Sequence, residues 1–329
     1  MNGKNISNKI IYWYDNNKWF LPWRKKTSVK NKEYFTLVSE FMLQQTQVKT
    51  VIPYFLNFIN KIPNINSLAK VKNETLMRYW EGLGYYSRAK NLKKTAVKII
   101  KDYNGRLPNS IEELKKLPGI GDYTSRAILA IVFNKKIIPL DGNVERILKR
   151  VFYLRKEEEI SKEYLNSKIH FFGSSSRASD YAQAIMEIGA LVCKPNNPLC
   201  QKCPISQNCI SFKKNDFVVK TKNKLNKIKY FEAKIYQNNN KYLLVKNNKF
   251  NFLKNMPIFP MSEVKEKKYK YSNSKKINIK LSNMDMKIIL NKIDRLPNIK
   301  NKILLNRTNT KSIVLPSFTK KIFSSVSKI

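Results

Sequence analysis

The stretch Leu117-Pro118-Gly119-Ile120-Gly121-Asp122, with Pro139-Leu140-Asp141-Gly142-Asn143-Val144 downstream of it, decides how the rest of the chain is read. Apolar periodicity predicts a helix over 111–116 before the first segment and another over 122–133 after it. Gly119 and Gly121, two positions apart, allow torsions that a side chain would block. Asp122 then reads as an N-cap. The result is a tight hairpin between two helices, with bare amides at a helix N-terminus that suit a phosphate. By itself Leu-Pro-Gly-Ile-Gly is equally the sequence of an ordinary turn between helices. Asp141, an isolated carboxylate just ahead of a further helix over 144–153, adds chemistry to it.

Working outward toward the N-terminus, residues 6–20 form an amphipathic helical pattern with Ile10, Ile11 and Tyr14 on one side. A lysine-rich loop over 25–32 leads to a helix over 33–43 that is nearly all apolar except for Glu40. A carboxylate among Leu37, Phe41 and Leu43 is either buried, which raises its pKa, or sits on a surface face. Gln44, Gln45 and Gln47 at the end of that helix are poor core material. They suit base contacts or a gap left by an extruded nucleotide, or simply a polar loop. Helical patterns follow over 48–62, 65–76 and 91–103. Between them, Trp80-Glu81-Gly82-Leu83-Gly84-Tyr85-Tyr86-Ser87-Arg88-Ala89 offers two tyrosines for stacking and Arg88 for phosphate. A glycine-broken turn with both tyrosines packed inward is the plain alternative.

Toward the C-terminus, helices are predicted over 157–172 and 180–192, and then Cys193, Cys200, Cys203 and Cys209 fall within one loop. Pro195, Pro198 and Pro204 force irregular backbone there, so four thiolates can wrap one compact centre. Zinc sites usually carry two CxxC pairs. With one pair and spacings of six, two and five, an iron–sulfur cubane fits better. A lysine-rich linker over 213–229 separates this mainly α region (1–212, cluster loop 193–209) from an α+β domain over 230–329. In that domain 230–236 and 241–245 form a hairpin, 277–281 a strand, and 284–293 and 317–326 read as helices.

The chain has 329 residues with 64 Lys and Arg against 23 Asp and Glu, a net charge of +41. A charge of that size calls for a polyanionic partner, nucleic acid first. Lys, Asn and Ile are abundant throughout, as in translations of AT-rich genes, so part of the charge is compositional. One histidine, His170, leaves no comfortable Ser-His-Asp triad. Its neighbours Phe171 and Phe172 exclude the HxE signature of zinc deaminases. No run approaches the ~18 apolar residues of a membrane helix, and the N-terminus has no signal-peptide core. The expected setting is cytoplasmic, in contact with the nucleoid through DNA and away from membranes.

Taken together, these residues resemble the MutY-type adenine DNA glycosylases, within the helix-hairpin-helix endonuclease III superfamily. The resemblance is carried by Leu37 to Val48 (LVSEFMLQQTQV), Trp80 to Ala89, Leu117 to Gly121, Leu140 to Val144 and the four cysteines. It implies a core of two helical subdomains with a [4Fe–4S] loop, and a C-terminal MutT/Nudix-like domain that reads 8-oxoguanine. The implied substrate is double-stranded DNA with adenine opposite 8-oxoguanine or guanine, bound by a monomer. Glu40 would protonate the adenine and Asp141 would stabilise the sugar cation, with Tyr123 and Asn143 around them. Gln44 belongs to the same glutamine run, and Gln45 and Tyr85 correspond to residues inserted into or beside the base stack. Two residues past the last hairpin glycine the lyase branch carries a Schiff-base lysine. Tyr123 stands there, which implies a monofunctional enzyme rather than a bifunctional glycosylase/lyase. Intact Glu40 and Asp141 speak against a non-catalytic iron–sulfur DNA-binding protein. The family's Phe-Ser-His loop corresponds to Tyr271-Ser272-Asn273, with Asn273 in place of histidine. Glu263 and Glu266 are too few for a hydrolase's magnesium box.

Overall fold

A computed structural model of the chain describes residues 3–155, 160–218, 227–238, 240–281, 283–294, 297, 302–306, 309 and 313–326. The chain divides into two compact units, Met1–Val71 with Lys90–Lys222, and Lys72–Ala89 with Asn223–Ile329. The division after Lys222 lies within the stretch expected to be a linker. Residues 72–89, by contrast, group with the C-terminal part and not with their sequence neighbours.

The first unit is helical: α1 (Gly3–Asn17), α2 (Val29–Leu43), α3 (Val48–Lys61), α4 (Ile65–Lys70), the body of α6 (Ser87–Tyr103), α7 (Ile111–Lys115), α8 (Asp122–Phe133), α9 (Gly142–Val151), α10 (Lys162–Lys168), α11 (Ala178–Glu187) and α12 (Ile210–Lys213). Ser28 starts α2 by accepting from the Asn31 amide at 3.3 Å, so half of the expected loop over 25–32 is helix. The cap hydroxyl satisfies a donor that lysines cannot. Leu37, Val38, Phe41 and Met42 of α2 are all fully buried. A helix that buries its apolar residues so completely belongs in a core, and each such side chain contributes roughly 1.5–3 kcal/mol by leaving water. A second cluster joins α1, α9 and α11 through Ile10, Tyr14, Val144, Leu148, Tyr181 and Ile185. The helix expected over 180–192 is α11 followed by a wide π turn, Ile188–Val192. The start of the expected linker is pinned down: Tyr153 Oη donates to Asp216 at 2.8 Å, and the Arg155 guanidinium donates to the Asp216 carbonyl at 2.6 Å. Residues 219–226 of that linker lie outside the described residues.

The second unit holds α5 (Asn73–Trp80), a mixed sheet, α13 (Glu266–Tyr271) and α14 (Ser317–Val326). Its strands are β1 (Lys227–Asn238), β2 (Lys241–Lys246), β3 (Pro257–Ile258), β4 (Met261–Glu263), β5 (Lys276–Leu281), β6 (Met284–Ile293) and β7 (Lys302–Asn306), in the order β3-β2-β1-β6-β5, with β4 on β1 and β7 on β2. The hairpin is present, with Gln237 opposite Tyr242. Met284–Ile293, expected as a helix, is instead an interior strand, between β1 and β5. It pairs parallel with β1 from Lys227↔Met284 to Tyr236↔Ile293 and antiparallel with β5. Met286, Ile288 and Leu290 alternate into the core, and pairing on both edges overrides local helix propensity. Glu81, just after α5, accepts from the Leu315 amide at 3.3 Å and from Lys320 Nζ at 2.7 Å. That carboxylate ties the 72–89 segment to α14.

Candidate active site

The hairpin forms as expected, though the two glycines do different work. Gly119 has φ +84°, and a Cβ there would stand 2.9 Å from both Asn91 Cβ and Phe41 Cε1, so conformation and space both require glycine. Gly121 is extended at φ −96°, ψ −171°, and an added Cβ would meet nothing within 4 Å. Its smallness leaves an open approach to the backbone. The N-cap of α8 is Gly121, and the expected cap Asp122 is the first helical residue. The Asp122 carboxylate is drawn to Arg126 at 2.9 Å and Lys115 at 3.2 Å, which leaves it no capping role. Thr95 Oγ1 donates to the Pro118 carbonyl at 2.7 Å and Gln44 Nε2 to the Gly119 carbonyl at 3.2 Å. These bonds hold the turn's carbonyls inward. No bond among the described residues uses the amides of Gly119 or Gly121.

Glu40, Tyr123, Asp141 and Asn143 all line one cavity of about 1110 Å³ in the first unit. Glu40 is carried inside by α2, among buried Leu37, Phe41 and Met42, and is 7% exposed. Burial first, and then the negative charge of Asp141, lift its pKa to about 7 against the pull of Arg24. Asp141 is the N-cap of α9. Its Oδ1 accepts from the Val144 amide at 2.7 Å and its Oδ2 from Asn143 Nδ2 at 2.9 Å. Burial raises this carboxyl too, while those donors and the nearby Arg146 oppose the rise. The start of a helix favours negative charge. Asn143 is held in turn by Arg146, whose Nη2 donates to Asn143 Oδ1 at 2.8 Å and to the Gly189 carbonyl at 2.7 Å. Gly189 lies so close that a Cβ would fall 2.5 Å from Asn143 Cβ. It sits in the π turn, a device frequent at functional sites. Tyr123 Oη donates to Met186 Sδ at 3.4 Å, and burial pushes the phenol well above its usual range.

The cavity also contains residues the sequence did not single out. Arg24 and Glu187 form an ion pair in its wall, and Glu187, 2% exposed, accepts from the Trp19 amide at 2.9 Å. Glu187 did carry a signal of the kind that marked Glu40, an acid among the apolar positions of a helix.

The remaining expected contact residues divide. Gln45 is exposed, and its backbone is left-handed at φ 58°; Tyr85 is 43% exposed at φ 46°. Left-handed residues other than glycine cost about 1–3 kcal/mol and gather at functional positions. Tyr86 and Arg88 depart from expectation, being buried at 6% each. The Arg88 guanidinium donates to the carbonyls of Leu83 and Gly84 at 3.3 and 3.2 Å, and lies 5.6 and 5.3 Å from the ring centres of Trp80 and Tyr85. It braces the loop from within, because five donors satisfy several carbonyls of an irregular turn at once, and it presents no face to phosphate. In the second unit Ser272 is the C-cap of α13, and its Oγ accepts from the Ser274 amide at 3.2 Å. Asn273 is exposed. Glu263 and Glu266 are paired with Lys229 and Lys270.

All four cysteines are free thiols facing one small pocket, walled by Ile147, Val151, Ile188 and Phe212. Among the described residues no three His, Cys, Asp or Glu side chains stand in a closed metal-ligand arrangement. The donor set nevertheless suits a multivalent cation. Burial pushes Cys203 up to about 12 and raises Cys200 and Cys209, with mutual repulsion adding to it. Arg150, buried at 2%, places Nη1 3.4 Å from Cys193 Sγ, while its other donors meet the carbonyls of Lys194, Pro195 and Phe217.

Residues 38–170 match the HhH-GPD superfamily of base excision DNA repair proteins. The chain is 36% identical over 344 residues to an adenine DNA glycosylase of Buchnera aphidicola subsp. Baizongia pistaciae (strain Bp), covering 97% of this chain and 96% of that protein. The chain belongs to the adenine DNA glycosylase family. A second member, from Buchnera aphidicola subsp. Schizaphis graminum (strain Sg), is 40% identical over 289 residues, 83% of this chain and 80% of that one. Among solved structures, that of a thermostable thymine-DNA glycosylase superposes with a TM-score of 0.58 at 26% identity, covering 64% of this chain and 97% of the other. The helix-hairpin-helix core is thus shared with the wider superfamily. No helix among the described residues is long and apolar enough to cross a membrane.

Proposed function

We propose that this chain removes adenine from adenine·8-oxoguanine and adenine·guanine mispairs in duplex DNA, as a monofunctional glycosylase of base excision repair. The observation that carries the reading is a pair of carboxyls in one cavity, both raised by burial, of which only Asp141 has hydrogen-bond donors that oppose the rise. Glu40, with a pKa raised to about 7, holds a proton near neutrality and gives it to a ring nitrogen of the extruded adenine. The C1′–N9 bond breaks and its electron pair leaves with the base. Asp141, held as an anion by the donors at the start of α9, faces the positive charge left on the sugar. Water then adds at C1′ and its proton goes to the Glu40 carboxylate, which restores the acid. Arg24 and Glu187 in the cavity wall offer a donor and an acceptor. That pair suits the ring nitrogens and the exocyclic amine of adenine.

Tyr123 supports a monofunctional course, since a neutral phenol bonded to Met186 offers no amine to attack the sugar. Cys193, Cys200, Cys203 and Cys209 would hold a [4Fe–4S] cluster. When bound, it would shape the loop that presents Lys202 and its neighbours to phosphate. Ser272 and Asn273 are the candidate readers of the opposing base. With Glu263 and Glu266 already paired with lysines, the unit is suited to binding and not to hydrolysis.

The decisive experiment is a single-turnover assay on duplexes with adenine opposite 8-oxoguanine, adenine opposite guanine, or an oxidised pyrimidine. The expected result is adenine release only, with strand scission after alkali alone. Preferential release of oxidised pyrimidine, or scission without alkali through a borohydride-trappable lysine adduct, would overturn it.

A further inference from the structure

The cavity that holds Glu40 and Asp141 runs out to a rim formed by the turn after α1, and that rim is built in an unusual way. Phe20 is 96% exposed, although it sits in a turn held at both ends. The Trp19 amide donates to Glu187 Oε2 at 2.9 Å. The Arg24 guanidinium pairs with the same carboxylate and reaches the Trp19 carbonyl at 3.5 Å. Leu21 and Trp23 are buried, and the Trp23 ring meets Phe55 edge-on at 5.2 Å. Every neighbour is anchored, so Phe20 is held out in water by the fold. Four lysines, Lys18, Lys25, Lys26 and Lys32, line the same cavity, and none of them is in an ion pair among the described residues. An exposed apolar ring on a cavity that is also lined by lysines outside any ion pair matches one chemistry, a nucleotide, which stacks its base on the ring and sets its phosphates on the lysines.

We propose that Phe20 and these lysines form a second nucleotide subsite, which receives the base directly adjacent to the extruded adenosine on the same strand. This rests on the activity proposed above. The turn that carries Phe20 is fastened through Glu187, so the subsite is rigidly connected to the wall that faces the adenine. Binding the neighbour on Phe20 fixes the strand on one side of the target, and the phosphates between the two nucleotides fall over Lys25 and Lys26.

The test measures single-turnover adenine release against enzyme concentration. It uses the full chain and its Phe20→Ala and Phe20→Trp variants. The duplexes are intact or carry an abasic spacer one nucleotide 5′ or 3′ of the target. For the unaltered chain, one of the two spacers should raise the half-saturating concentration roughly tenfold, the scale of a lost base–aromatic stack. Phe20→Ala should show that rise on intact DNA, be indifferent to the same spacer, and keep its maximal rate; Phe20→Trp should restore tight binding. Lys25→Gln with Lys26→Gln should flatten the salt dependence of binding by about one unit of slope per lysine. The inference is overturned if Phe20→Ala binds intact duplex as the unaltered chain does, or if both spacers cost the two proteins equally. Absence of adenine release by the unaltered chain would instead sink the proposed activity. Because Phe20 is exposed, the melting temperature of Phe20→Ala should match that of the unaltered chain.

Discussion

The end of α2 and the start of α9 each bring a carboxyl group into the same cavity, and they surround it differently. Glu40 comes in on a helix whose neighbours are Leu37, Phe41 and Met42, and burial leaves it holding its proton up to about pH 7. Asp141 comes in at a helix start, where an amide, an amide side chain and Arg146 all favour the anion. Burial raises both carboxyls, and the hydrogen-bond donors beside Asp141 oppose the rise there alone, which suits the proposed roles of acid for the first and counter-charge for the second. The second unit sharpens the contrast. Its acids Glu232, Glu263 and Glu266 each pair with a lysine.

The strongest way to break the contrast is to remove the proton. Glu40→Gln keeps the shape and should lower the single-turnover excision rate ~10²–10⁴-fold, with duplex binding retained in a gel-shift assay. A residual rate within threefold of the unaltered chain would remove Glu40 from its role. Asp141→Asn should be next, at about 10²–10³-fold, because a neutral amide cannot oppose the sugar cation. The same variant should leave the pH at which the rate declines lower than before, since Asp141 is one cause of the rise in Glu40.

Gly189→Ala tests the support instead of the groups. The new methyl would collide with Asn143, so excision should fall on the order of tenfold while DNA affinity changes little. An unchanged rate would show that Asn143 does not need its present seat.

The pH profile reads Glu40 directly. Its folded value lies above the ordinary one, so the proton is present below about 7 and lost above it. The excision rate should therefore fall as pH rises past about 7, and Glu40→Gln should abolish that limb. By the same sign, the stability contributed by keeping Glu40 neutral is present at acid pH and is lost as pH rises through about 7.

The smallest effect belongs to the second unit. Ser272→Ala with Asn273→Ala should narrow the preference for adenine opposite 8-oxoguanine over guanine by ~1–3 kcal/mol, with excision itself intact. A preference ratio equal to that of the unaltered chain would dismiss these residues as readers.

Much of this was legible in residue order. Gly119, Asp141 and Glu40 stand in local patterns that a helix-hairpin-helix core requires, and four cysteines in one loop converge on one pocket because chain connectivity leaves them little alternative. What residue order left open was direction and partnership. Arg88 and Tyr86 looked like surface groups until the Gly82–Gly84 turn folded over them. Met284–Ile293 looked helical until pairing with β1 and β5 made it a strand. Arg24 and Glu187 lie far apart in sequence, so nothing local announces that they meet in the wall of the cavity. Sequence alone determined most helices of the first unit and which residue types they carry, because periodicity, caps and turns act over a few neighbours. Tertiary structure decided which carboxyl keeps its proton, since Glu40 is closed off from water by packing and set beside the charge of Asp141, far along the chain.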